Sequence, residues 1–147
     1  MPILNYTTSV AASRTVSQMQ EALAKAGATT IAARYDEGRE IGLSFTLMTV
    51  YGWRDFTLPV DTDAVWKVIG RQRGIPPRLR NREQAERVAW RIAKDWLEAQ
   101  LAIVESQMVS FDQVMLPYMH VDETRTLYQA YEQKQTTLEL MTGPTEE

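Results

Sequence analysis

The stretch NREQAERVAWRIAKDWLEAQLAIVESQMVSFDQVML, residues 81–116, decides the fold. From Arg82 to Leu116 it holds no glycine and no proline, and it is rich in Ala, Glu, Gln, Leu and Met, residues that lose little on entering a helix. Ala85, Val88, Ile92, Trp96, Ala99 and Ile103 recur at three-four spacing, and Ala93, Leu97, Leu101, Val104, Met108, Phe111 and Met115 form a neighbouring stripe. Asn81 stands where an N-cap belongs, with Gln84 in the reciprocal capping-box position, and Pro117 closes the run. Unbroken, this helix would be about 50 Å long, longer than a compact domain of this size is wide. Either it bends near Ser106 to Ser110 or its end packs against a second subunit. The width of the double stripe favours the second subunit.

Upstream, Asp61 or Thr62 caps a short helix with apolar positions at Ala64, Val65, Val68 and Ile69, ended near Gly70 or Gly74. Pro76-Pro77 then forbids helix. Before it the period is two: Ile31, Ala33 and Tyr35 alternate, Asp36-Glu37-Gly38-Arg39 turns, and Ile41, Leu43, Phe45 and Leu47 alternate again. Tyr51-Gly52 turns into a strand from Trp53 to Leu58, which Pro59 ends. Ile3 to Val10 is β-rich and reads as a first strand. Thr15 with Gln18 then opens a helix striped by Val16, Met19, Leu23 and Ala26 and stopped at Gly27. A last helix, Glu123 to Leu140, carries Leu127, Tyr128, Tyr131 and Leu138, and residues 141–147 should fray. The expectation is one α+β domain over residues 1–147. Its first part (1–60) is a four-stranded, mostly antiparallel sheet with one early packed helix; its second (61–140) is a long-helix C-terminal half. A homodimer or higher homo-oligomer is expected through the long helices.

Composition narrows the chemistry. With 44% hydrophobic and 24% charged residues among 147, the chain has the make-up of a soluble globular protein. No cysteine excludes disulfides and thiolate metal sites and suits a reducing cytoplasm. The start MPILNYTTSV is not a signal peptide, and no apolar run approaches the roughly 18 residues of a membrane span. A cytoplasmic protein without membrane association is expected. His120, the one histidine, lies in PYMHVDE and reads as a loop residue; alone it cannot build a zinc site of the His/Cys type. Asp36-Glu37, Asp61/Asp63 and Asp122-Glu123 read as turn and cap residues. No G-x-S-x-G, P-loop or G-x-G-x-x-G pattern is present. No enzyme, catalytic residue, metal or cofactor is expected.

Charge is where the sequence departs from the ordinary. Residues 1–66 carry five bases and seven acids, residues 67–94 nine bases and two acids, and residues 95–147 two bases and ten acids. Within the basic block, RQRGIPPRLRNR (71–82) holds five arginines and no lysine. Arginine is planar, always charged and able to grip phosphate or carboxylate through two parallel hydrogen bonds. The candidate ligand-binding residues are Arg71, Arg73, Arg78, Arg80, Arg82, Arg87 and Arg91, with Lys94 extending the stripe. Trp66 and Trp96 read as core. Trp90, between Arg87 and Arg91, reads equally well as core or as a base-stacking platform. The ligand expected is single-stranded nucleic acid or a nucleotide, because the acidic C-terminal block would repel a long duplex. The alternatives are that basic and acidic blocks pair with each other, or that the arginines anchor an acidic surface on a host or phage protein.

LPVDTDAVWKVI (58–69), the run from Asn81 to Met119 and the opening ILNYTTSV (3–10) together resemble a family of short, functionally uncharacterised proteins encoded by phages, prophages and mobile elements. The resemblance covers roughly residues 3 to 119, and the long helix is its most specific part. It implies an accessory phage-type protein that handles DNA or interferes with the host, for instance with anti-phage defence. It assigns no catalytic residue.

Overall fold

The computed structural model describes residues 1–142, with backbone only for residues 139–142. The long helix, α3, spans Arg82–Glu105 and stops there. Asn81 caps it, its side chain accepting from the Gln84 amide at 2.8 Å. Gln84 does not return the bond; its side-chain amide donates instead to the carbonyls of Tyr6 and Thr8, both at 2.9 Å. At the far end Gln107 adopts a left-handed φ of 68°. Ser110 and Gln113 then form a reciprocal capping box that opens the short helix α4, Phe111–Met115. So the bend at 106–110 is the one realised. It brings the Phe111 ring edge-on to Phe45 and Phe56, at centroid distances of 5.8 and 5.3 Å.

Much of the double stripe finds its cover inside the chain, while Ala99 and Met108 stay exposed. One side of α3 places Trp90 and Leu97 in a core with Val16, Met19 and Leu23 of α1 (Ala12–Lys25) and with Leu43, Phe45, Leu47, Phe56 and Leu58 of the sheet region. The other side places Ala85 and Val88 against Ile69, Ile75 and Leu79 in a second cluster under α2 (Thr62–Arg71). Each large side chain so buried contributes about 1.5–3 kcal/mol. Because the helix bends after Glu105, its length alone no longer calls for a second subunit.

Among the described residues the sheet has three strands, not four: β1 Thr30–Asp36, β2 Arg39–Thr49 and β3 Gly52–Thr57, antiparallel in the order β1-β2-β3. Ile3 to Val10 is a pair of turns. Tyr6 donates to the Ile3 carbonyl and Thr8 to the Asn5 carbonyl, and Asn5 has a φ of 65°. Side chains meet three more of the segment's backbone groups, Gln72 accepting from the Ile3 N–H and Gln84 donating to the Tyr6 and Thr8 carbonyls. Ile3 and Tyr6, three apart, both pack on the second cluster, a spacing that a strand cannot turn to one face.

α1 begins three residues before Thr15, at Ala12, without a side-chain cap. Thr15 is buried, and with Gln18 it accepts from Arg91 of α3 rather than capping. Gly27 (φ 110°) ends α1 as expected, with Ala28 N–H bonded back to the Leu23 carbonyl. The last helix, α5 (Leu127–Thr142), starts four residues later than expected. Asp122 draws residues 122–125 into an Asx turn, and Thr126 with Gln129 supplies the cap. α5 includes residues 141 and 142; the remainder of the segment expected to fray, 143–147, lies outside the described residues. Among the described residues no helix is long and apolar enough to cross a membrane.

Candidate anion-binding face

Arg80 organises the arginine segment without being free to bind anything. Its guanidinium donates to the carbonyls of Ile69 (2.6 Å), Gln72 and Ile75 (3.0 Å). These are carbonyls of the last turn of α2 and of the chain just beyond, groups that a helix end leaves without partners. Buried Ile75 and Leu79 pin the loop from below, Gly74 supplies a left-handed turn at φ 87°, and Pro76-Pro77 leads into a 3₁₀ turn at Pro77–Leu79. The loop's shape is therefore set from within. Arg71, the last residue of α2, and Arg73 and Arg78 of the loop are all exposed, and among the described residues their guanidinium groups meet no carboxylate and no hydrogen-bond acceptor. Each lies within two residues of a group in the Arg80 knot.

The other candidates have structural partners. Arg87 donates to Glu83 (2.7 Å) and to the Gln84 side chain (3.0 Å). Arg91 donates to Gln18 at 2.8 Å and so ties α3 to α1. Trp90 is 0% exposed and its indole N–H donates to the Glu40 carbonyl at 3.1 Å; it belongs to the core, and no nucleobase can reach its face. Lys94 pairs with Glu98 at 2.8 Å. Of the eight candidate residues, Arg71, Arg73 and Arg78 are exposed, Arg82 pairs with Asp63, and Arg80, Arg87, Trp90 and Arg91 hold the fold.

Arg82, the first residue of α3, pairs with Asp63 of α2, and its guanidinium carbon lies 5.7 Å from the centre of the Trp66 ring. The hydrogen bond and charge of Arg82 hold the Asp63 carboxyl below its ordinary range, with smaller help from Lys67 and Arg39. Asp63, Lys67 and Arg71 follow at four-residue intervals on α2, so they share one face, each about 6 Å further along the axis. Lys67 is exposed and extends the cationic surface; an arginine-only reading passed over it, though its spacing from Arg71 was available. Gly70 beside them is also exposed, with nothing within 4 Å of where a Cβ would stand.

Two other regions bear polar side chains. A groove of about 690 Å³ at the start of α1 is lined by Arg39, Arg82, Arg87, Glu40, Glu83 and Glu86. Its charges balance: Arg39 meets Glu86 at 3.2 Å, and burial raises the Glu86 carboxyl. On the outer face of the sheet, Ser44 and Thr57 hydroxyls are 3.0 Å apart and Thr57 lies 2.7 Å from His120 Nε2. His120 Nδ1 is 3.1 Å from the Asp122 carbonyl. A carbonyl only accepts, so Nδ1–H donates to it; in the neutral ring Nε2 then accepts a hydrogen bond from the Thr57 hydroxyl. This has the outline of a nucleophile with its base. Yet the concavity of about 300 Å³ on that face is lined by Ser44, Asp55, His120 and Glu123 and not by Thr57, whose oxygen is engaged on both sides. The chain of bonds fastens residues 119–122 to β3, together with the His120 N–H on the Asp55 carbonyl at 2.8 Å. Among the described residues no cluster of three or more His, Asp or Glu could hold a metal ion.

Comparison with protein-family models, curated proteins and solved structures gives no match for this chain.

Proposed function

We propose that this chain is a non-catalytic nucleic-acid binder, an accessory protein of the phage type its sequence resembles, that grips a phosphate backbone through Lys67, Arg71, Arg73 and Arg78. The observation that carries this reading is the loop itself: three guanidinium groups without counter-charge, on a backbone held in place by a fourth. Guanidinium groups with nearby carboxylates would be neutralised, as Arg87 is by Glu83. These three are left available. A rigid loop also lowers the ordering cost of binding.

The exposure of these groups favours a polymer over a free nucleotide. Small ligands are held in concave sites that enclose most of their surface, whereas a phosphate backbone needs only a row of fixed positive charges. The test is binding of a dye-labelled oligothymidine, followed by fluorescence anisotropy over a salt series, for the native chain and for Arg71→Gln/Arg73→Gln/Arg78→Gln. The native chain should bind with strong salt dependence. The triple variant should keep its helical circular dichroism, lose most of the affinity, and show a log-log salt slope smaller by about 2, since each single-strand phosphate contact adds about 0.7. Equal binding by both proteins, or none by the native chain at low salt, would refute the reading.

A further inference from the structure

We infer that Arg82 and Trp66 form a base-stacking subsite at the end of this cationic row, that Asp63 occupies there the place of a ligand phosphate, and that the nucleic acid taken is therefore single-stranded. This inference rests on the function proposed above.

The geometry has three parts. The Trp66 ring is half-buried and fixed from below by the cluster of Ile69, Ile75 and Leu79. Arg82 lies over it within cation–π distance, and the Arg82 side chain is still 52% exposed. The guanidinium over the indole thus stays open to solvent on its far side, and nucleobases stack on arginine planes as well as on aromatic rings. In a duplex both faces of each base are covered by neighbours. Only an unpaired base has a face to offer.

Asp63 completes the subsite. It is not the cap of α2: Asp61 is, accepting from the Ala64 amide at 3.0 Å. Asp63 instead pairs with Arg82 and stands in line with Lys67 and Arg71, a carboxylate 67% exposed at the end of a row of cations. Its shifted titration follows from the same neighbours. A phosphate following the row from Arg71 past Lys67 would arrive at this carboxylate and compete with it for Arg82. The pair acts as a mild gate, because an exposed ion pair is readily exchanged.

Three variants at exposed positions test this without threatening the fold: Arg82→Lys, Asp63→Asn and the triple arginine variant. Each is titrated with labelled oligothymidine and with the same strand annealed to oligoadenine. Arg82→Lys keeps the charge and removes the plane. It should lose about tenfold in affinity for the single strand, the scale of one lost base stack, with duplex affinity and salt slope unchanged. Asp63→Asn should bind the single strand more tightly, by up to about fivefold, the worth of an exposed ion pair. An Arg82→Lys protein that binds both ligands like the native chain overturns the subsite, as does an Asp63→Asn protein that binds more weakly. A native chain that binds strand and duplex alike, with both lost in the triple variant, keeps the cationic face and overturns the single-strand inference alone. A native chain that binds neither removes both.

Discussion

The guanidinium of Arg80 donates to the carbonyl of Ile69, eleven residues back in the chain, and so ties the start of α3 to the end of α2. Two further bonds to Gln72 and Ile75 make it a knot. Replacing Arg80 with methionine keeps most of the stem and orphans three carbonyls at a half-buried site. The expected loss is about 2–4 kcal/mol, the range for breaking charge-assisted bonds and leaving acceptors unpaired. Arg78→Met, which breaks no such bond, should stay within about 0.5 kcal/mol of the native chain. Urea denaturation of the two proteins separates the roles. Equal stabilities would remove the claim that Arg80 shapes the loop.

Gly70 and Gln107 are the wrong way round for stability. Gly70 is helical, exposed and free of neighbours within 4 Å of a Cβ, so Gly70→Ala should stabilise by about 0.5–1 kcal/mol. Gln107 has a φ of 68°, which costs a side-chain-bearing residue about 1–2 kcal/mol. Gln107→Gly should recover part of that. Thermal melts of both variants should rise. If phosphate lies across the bare helix at Gly70, Gly70→Ala will also weaken binding while it strengthens the fold.

How far the sequence could be read depended on how local each cause is. The stripes of α1, α2 and α3 and the β1–β2–β3 meander are written in neighbouring residues, and they formed. Ile3 to Val10 failed because its partners, Gln72 and Gln84, are some seventy to eighty residues away. Thr15 failed for the same reason, its hydroxyl lying beside Arg91 rather than capping α1. The arginine block was legible as chemistry but not as roles. Nothing local distinguishes Arg78 from Arg80; only the carbonyls of Ile69, Gln72 and Ile75 do. Trp90 was undecided in sequence because its indole partner, the Glu40 carbonyl, belongs to a strand fifty residues upstream.

Asp122 gives the fold an acid limb. Its carboxylate accepts from the Thr124 amide, the Arg125 side chain, the Arg125 amide and the Thr124 hydroxyl, and these bonds hold its pKa far below the usual carboxylate value of 3.8. A carboxyl depressed in the folded state contributes stability that is complete above its unfolded pKa and declines as pH falls through that value toward the folded one. Asp122→Asn keeps an acceptor for the backbone amides and removes the charge. Its stability should therefore fall less than that of the native chain between neutral pH and about pH 2. Parallel acid limbs in denaturation series would show that this turn is not linked to protonation.

Phe111 decides whether the bend after α3 is a packed corner or a loose joint. Its ring meets Phe45 and Phe56 edge-on, and Phe45 and Phe56 stack on each other at 5.1 Å, so three rings lock α4 onto β2 and β3. Phe111→Ala removes the outermost of the three. A buried Phe→Ala change costs about 3–5 kcal/mol; at this half-buried position about 2–3 kcal/mol is expected, together with faster amide exchange in residues 106–115. Arg71, Arg73 and Arg78 lie at the opposite end of α3, so phosphate binding measured below the melting temperature should be unchanged. Loss of binding in this variant would mean that the bend and the cationic face are coupled through α3 rather than built independently on its two ends.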